Sequence, residues 1–132
     1  MFRVIGGAYM SLKKQLIKNY LKMQLVSSDP GILKIKVNNL PKLNEDYLQF
    51  APYIYEFLKL KQGINEIQPD FTSGVVTIYY DSFMQPQEII TWINTVIDVA
   101  IDQMDYIAAN WEINQAEVIN TLKKILIGKM FQ

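Results

Sequence analysis

The chain of 132 residues contains neither cysteine nor histidine. Without thiols it can form no disulfide framework, thiolate metal site, iron–sulfur cluster or cysteine nucleophile. Without imidazole it also lacks the commonest general acid and base. No glycine-rich phosphate loop and no G-x-S-x-G turn occurs. Neither an enzyme nor a resident cofactor is therefore expected. No apolar run approaches the roughly 18 residues that a membrane span needs, and Met1 to Tyr9 is too short and interrupted for a secretory leader. These absences predict a cytoplasmic protein, with peripheral attachment at the inner face of the membrane as the alternative.

Half of the residues are apolar (50%) and a fifth are charged (20%), a globular composition rather than a disordered one. The length suits one domain with an appended element. Lysine plus arginine equals aspartate plus glutamate at 13 each, but the balance conceals a division. Residues 1–61 hold ten basic and four acidic groups, a net of +6, whereas residues 62–132 hold three basic and nine acidic, a net of −6. Two such halves can attract each other within the fold or across an oligomer, or one half can meet a charged partner.

From Leu12 to Val26, the apolar residues Leu12, Leu16, Ile17, Tyr20, Leu21 and Met23 recur at helical spacing around Lys13, Lys14, Lys18 and Lys22. This predicts an amphipathic helix with a basic side, ended by Ser28-Asp29-Pro30-Gly31. Leu33, Ile35 and Val37 then alternate with Lys34 and Lys36, as in a strand with one buried face. A helix is expected from about Ala51, near Pro52, to Gly63, with Ile54, Phe57 and Leu58 facing the core. Ile64 to Gln68 and Val75 to Asp81 flank a turn-rich segment and predict a hairpin. Pro86 and Glu88 open a helix whose stripe runs from Ile89 to Trp111, so one helix is expected over about 86–112. A further helix is expected to follow, with a possible bend at Asn114, and to end near Gly128.

The order strand, helix, hairpin, helix, with Gly31 to Val37, Gly63-Ile64, Ile67, Thr72-Ser73-Gly74-Val75-Val76 and Tyr80-Asp81, resembles the heavy-metal-associated domain. The cysteine-poor variety, found beside metal-transporting P-type ATPases, is the nearest. Over residues 31–101 the resemblance implies a ferredoxin-like α+β sandwich and a setting in metal transport. It implies metal ligands near Leu48 and Ala51, but Asn38 to Ala51 contains no cysteine, histidine or methionine. Copper(I) and zinc therefore lack their usual ligands there. Met10, Met23, Met84, Met104 and Met130 could in principle serve copper, although as flexible core fillers they need no metal. The family's fourth strand has no counterpart after the second helix, which predicts an open edge on the first strand. Phe2-Arg3-Val4-Ile5 or a partner's strand could cover it.

Asp98, Asp102 and Asp105 share one helix face at i, i+4 and i+7. They fit a hard-cation site, a solvated polar face, or pairing with Lys14, Lys18 and Lys22, which repeat every four residues. The lysine row also fits an anionic membrane surface, whereas the neutral total and acidic second half argue against nucleic acid. Tyr47, Phe50, Tyr53, Tyr55 and Phe57 form an aromatic cluster that could pack in the core or anchor an interface.

The fold expectation is an α+β, ferredoxin-like strand-helix-strand-strand-helix core over 31–112. An amphipathic helical segment precedes it over 1–30, and a helical extension follows over 113–132. The functional expectation is a non-catalytic interaction or assembly module that meets a protein partner or a second copy. An ATPase system for metals is implied only by the resemblance. Candidate interaction residues are Lys14, Lys18, Lys22, Asp98, Asp102, Asp105, Tyr53 and Phe57. The alternatives are an atypical metal-binding protein using carboxylates or methionines, and a peripheral membrane module.

Overall fold

In the computed structural model, which describes residues 14–40, 42 and 51–131, the apolar alternation beginning at Leu33 forms the centre of an antiparallel sheet. Its strands are β1 (Met23–Asp29), β2 (Ile32–Val37), β3 (Ile64–Asp70) and β4 (Val75–Tyr80), in the order β1-β2-β4-β3. The chain is thus α+β, with a four-stranded sheet and several helices.

The expected helix over Leu12 to Val26 is corrected in its second half. Helix α1 occupies residues 14–20 of the described chain, and Met23–Asp29 is strand β1. Leu21, Met23 and Leu25 satisfy a period of two as well as a helical one, and pairing with β2 decides between them. Pro30 followed by Gly31 at φ 79° fits the central pair of a type II turn, so Asp29-Pro30-Gly31-Ile32 closes a hairpin where a helix end was expected.

This pairing also overturns the open edge expected on β2, which lies between β1 and β4. Phe2 to Ile5 lie outside the described residues. The position expected to be vacant is filled from the segment before β2 rather than after the second helix.

Helix α2 is Ala51–Leu58, α3 is Pro86–Asp102, α4 is Met104–Asn110 and α5 is Gln115–Met130. Pro86 sits at the start of α3 and Glu88 lies in its first turn, as the helix dipole favours. The single helix expected over 86–112 is divided at Gln103, whose ψ of 11° departs from helical geometry. The division is slight, because the Gln103 amide donates to the Val99 carbonyl and the Ile107 amide to the Gln103 carbonyl, each at 2.9 Å. Asn114 caps α5 by accepting from the Glu117 amide at 3.2 Å, while its own amide group reaches the Glu117 carboxylate. Helix α5 ends at Met130, two residues past Gly128 and so near the end that the sequence pattern placed there.

One face of the sheet carries the core. Leu33, Ile35, Ile64, Val76, Ile78 and Tyr80 meet Phe57 and Leu58 of α2, Ile89, Trp92, Ile93, Val96 and Val99 of α3, and Val118, Leu122 and Leu126 of α5. Burying each large aliphatic side chain contributes about 1.5–3 kcal/mol. The buried stripe of α3 includes Trp92 and Val99, which the sequence reading passed over, while Met104 and Ala108 beyond the division are exposed. On the opposite face, Ile32, Val75, Thr77 and Tyr79 are half-buried, Lys34 and Lys36 are exposed, and none of them belongs to the core cluster.

Candidate functional site

Two of the three aspartates and two of the three lysines singled out in the sequence come together. Lys14 Nζ donates to Asp102 Oδ1 and Oδ2 at 3.0 and 3.2 Å, and Lys18 Nζ donates to Asp98 Oδ1 at 2.8 Å. Lys14 also stands 3.8 Å from Asp98. Lower lysine meets higher aspartate, so α1 runs antiparallel to this part of α3. The four-residue spacing on each helix sets the two rungs of the ladder. Among the described residues, Lys22 and Asp105 form no ion pair.

These pairs are half-exposed, and such pairs contribute about 0–1 kcal/mol each. Their consequence is orientation. The lysines turn toward α3, while Leu16 and Tyr20 are exposed at 62% and 42%, the reverse of an amphipathic helix packing its apolar side on the core. Asn39, at φ 62°, donates from its side-chain amide to the Tyr20 carbonyl at 2.6 Å and ties the end of α1 to the chain after β2.

Among the described residues, the sheet ends at β1 on one side and at β3 on the other, and these two edges differ. On β3 the edge carries Glu66, Pro69 and Asp70 and a register shift between Ile64 and Glu66, features that discourage pairing with another strand. On β1 the only charge is the terminal Asp29, and Leu25 and Val26 are exposed at 59% and 53%. The Asn38 amide donates to the Lys22 carbonyl at 2.9 Å, and the Val37 amide to the Gly74 carbonyl at 2.8 Å. Antiparallel alternation therefore turns the backbone of Lys22 and Gln24 toward β2, and that of Met23 and Leu25 outward. A bulge between Leu25 and Ser27 limits this regular outward segment to the first half of the strand.

The aromatic candidates divide. Phe57 is core at 6% exposure and unavailable as a surface anchor. Tyr53 is half-buried, packs edge-on against Trp111 at 5.4 Å between ring centroids, and accepts from the Gln115 side chain at 3.1 Å. Burial raises the Tyr55 phenol above its ordinary pKa. Tyr47 and Phe50 lie outside the described residues.

Shallow cavities open on the surface of the described residues. One, of about 320 Å³, lies between Lys61, Trp92 and Lys129, with the Lys61 ammonium 5.9 Å from the Trp92 ring centre. Another, of about 300 Å³, is lined by the hairpin turn at Pro30 and by Tyr80 and Met84. Among the described residues, no group of three or more carboxylates, histidines or cysteines could hold a metal ion. Of the methionines, Met84 is buried, Met104 is exposed, and Met23 and Met130 pack against the core, while Met10 lies outside the described residues. No described helix is long and apolar enough to cross a membrane.

Sequence reasoning missed the β1 edge because it assigned those residues to a helix. The available signal was Asp29-Pro30-Gly31 between two segments of alternating character, which is a hairpin pattern. Compared with known protein families, curated proteins and solved structures, the chain matches none.

Proposed function

We propose that the chain is a non-catalytic protein-interaction or assembly module on a ferredoxin-like scaffold of the heavy-metal-associated kind, acting in the cytoplasm. The observation that carries this reading is the exposed apolar margin formed by consecutive elements α1 and β1. Of the nine large apolar side chains exposed among the described residues, four lie between Leu16 and Val26, and two of these border an edge with outward amides and carbonyls. An edge strand of this kind accepts an added strand from a partner.

The scaffold assignment draws its support from the strand order. β2, α2, β3, β4 and α3 follow the order that the resemblance implies, with β1 standing in for a strand that would follow α3. A metal-transport setting rests on that resemblance alone.

Light scattering after size exclusion, together with affinity capture by the full chain, tests the proposal. An assembly or captured partner that is lost in Leu25→Lys/Val26→Lys while the melting curve is unchanged supports it. A strict monomer at high concentration that captures nothing sinks it.

Peripheral membrane attachment is favoured by exposed Leu16 and Tyr20. It competes with the commitment of Lys14 and Lys18 to aspartates rather than to lipid headgroups. Co-sedimentation with anionic vesicles that vanishes in Leu16→Asp/Tyr20→Asp would favour this second reading.

A further inference from the structure

The sheet face opposite the core is divided by charge into columns that the strand register aligns. Asp70 and Lys36 both pair across Val75, Gln68 and Lys34 across Thr77, and Glu66 and Ile32 across Tyr79. The outward side of β2 therefore carries Lys34 and Lys36, that of β3 carries Glu66 and Asp70, and β4 separates them with the neutral column Val75, Thr77 and Tyr79. Neighbouring strands lie about 4.8 Å apart, so the basic and acidic columns are separated by roughly 10 Å at the backbone. Among the described residues, none of these four charged side chains enters an ion pair.

This arrangement is complementary to itself under one symmetry and repulsive under another. Turning a second sheet about a two-fold axis parallel to β4, face to face with the first, sets its acidic column over the first sheet's basic column and the reverse. Turning it about an axis across the strands sets like charges together. Stacked sheets lie about 10 Å apart, a gap that lysine and glutamate side chains can bridge from opposite sides. The central columns would then meet, joining half-buried Val75 and Tyr79 to their counterparts.

We infer that two copies of this chain associate through these open sheet faces, the basic column of each over the acidic column of the other, with Lys36 level with Asp70 and Lys34 reaching diagonally toward Glu66, two residues along the strand. The inference rests on the reading of the chain as an assembly module but uses a different surface from the β1 margin. A polyanion such as single-stranded nucleic acid fits the face less well, because the acidic column would repel its phosphates along one side. The opposed net charges of the two halves of the sequence also find a use between copies, beyond the pairs already made by Lys14 and Lys18.

Sedimentation equilibrium of the full chain, its Lys34→Glu/Lys36→Glu variant and its Glu66→Lys/Asp70→Asn variant tests the inference. Asparagine at position 70 retains a side-chain oxygen for the following turn. The wild type is expected to dimerise, and each variant to be a folded monomer by circular dichroism. An equimolar mixture of the two variants is expected to regain a dimer. The wild-type dissociation constant should weaken by about tenfold or more between low and high salt, since the contacts are screened.

A monomeric wild type overturns the inference, as does a dimer that survives both charge variants. A dimer lost only in Leu25→Lys/Val26→Lys overturns it while leaving the proposed function standing. A monomer that binds a single-stranded oligonucleotide through Lys34 and Lys36 overturns it in favour of nucleic acid.

Discussion

The indole Nε1–H of Trp92 donates to the carbonyl of Leu58 at 3.0 Å inside the core. Leu58 is the last residue of α2, where helix carbonyls run out of partners within their own helix, so α3 supplies the missing donor. The same bond fixes how α2 and α3 sit together over the sheet.

Trp92→Phe keeps an aromatic ring but leaves that carbonyl without its donor. A loss of about 1–3 kcal/mol is expected from the unsatisfied buried acceptor, and Trp92→Ala should cost about 3–5 kcal/mol through the added cavity. Urea denaturation measures both. Equal losses in the two variants would place the whole effect in the hydrogen bond and none in packing.

The ladder between α1 and α3 should show the opposite balance of effects, with little stability and much orientation. A double-mutant cycle with Lys18→Gln and Asp98→Asn is expected to give a coupling below about 1 kcal/mol that shrinks with added salt. Charge reversal by Lys14→Glu/Lys18→Glu should instead displace α1 from α3, seen as faster amide exchange over residues 14–20 with little change in the global melting temperature. Unaltered exchange there would show that other contacts hold the helix.

Asp70 links stability to pH. Its carboxylate accepts from the Thr72 amide at 2.9 Å, and together with hydrogen bonds from Ser73 this lowers its pKa below the ordinary value. A folded-state pKa below the unfolded one contributes stability above the unfolded pKa of about 3.9, and that contribution is lost as pH falls through the folded value. The stability difference between the wild type and Asp70→Asn should therefore shrink on acidification through this window. A difference that stays constant across it would remove the carboxylate's charge from the account.

What was legible in the sequence follows from how many signals agreed at each point. At β2, the alternation of Leu33, Ile35 and Val37 with Lys34 and Lys36 fits a strand and no helix, and the strand lies where the pattern placed it. At Met23–Asp29 the local pattern was ambiguous, and hydrogen bonding to β2 decided it from outside the segment. The Lys14, Lys18, Asp98 and Asp102 ladder was one of several readings that spacing allowed, because charge periodicity gives a face without naming its partner. The charge columns on the open sheet face follow from no single segment of the sequence. They depend on β3 and β2 lying on either side of β4, a topology that no local pattern encodes.

Gly63 is the last case, because two separate demands meet there. Its φ of 105° is a backbone conformation that L side chains rarely adopt, and a Cβ would collide with the Met84 sulfur and lie 2.8 Å from its Cγ. Met84 is buried at 3% exposure, so it cannot swing into solvent without opening the core. Gly63→Ala should cost at least about 1–3 kcal/mol from the backbone conformation alone, with the collision added. Combining it with Met84→Ala separates the two demands. The second change costs about 2–5 kcal/mol by itself as a core truncation, yet it removes the collision, so the double variant should be more stable than the sum of the single losses predicts. Strict additivity in a urea-denaturation cycle would mean that the backbone conformation alone requires glycine at this position.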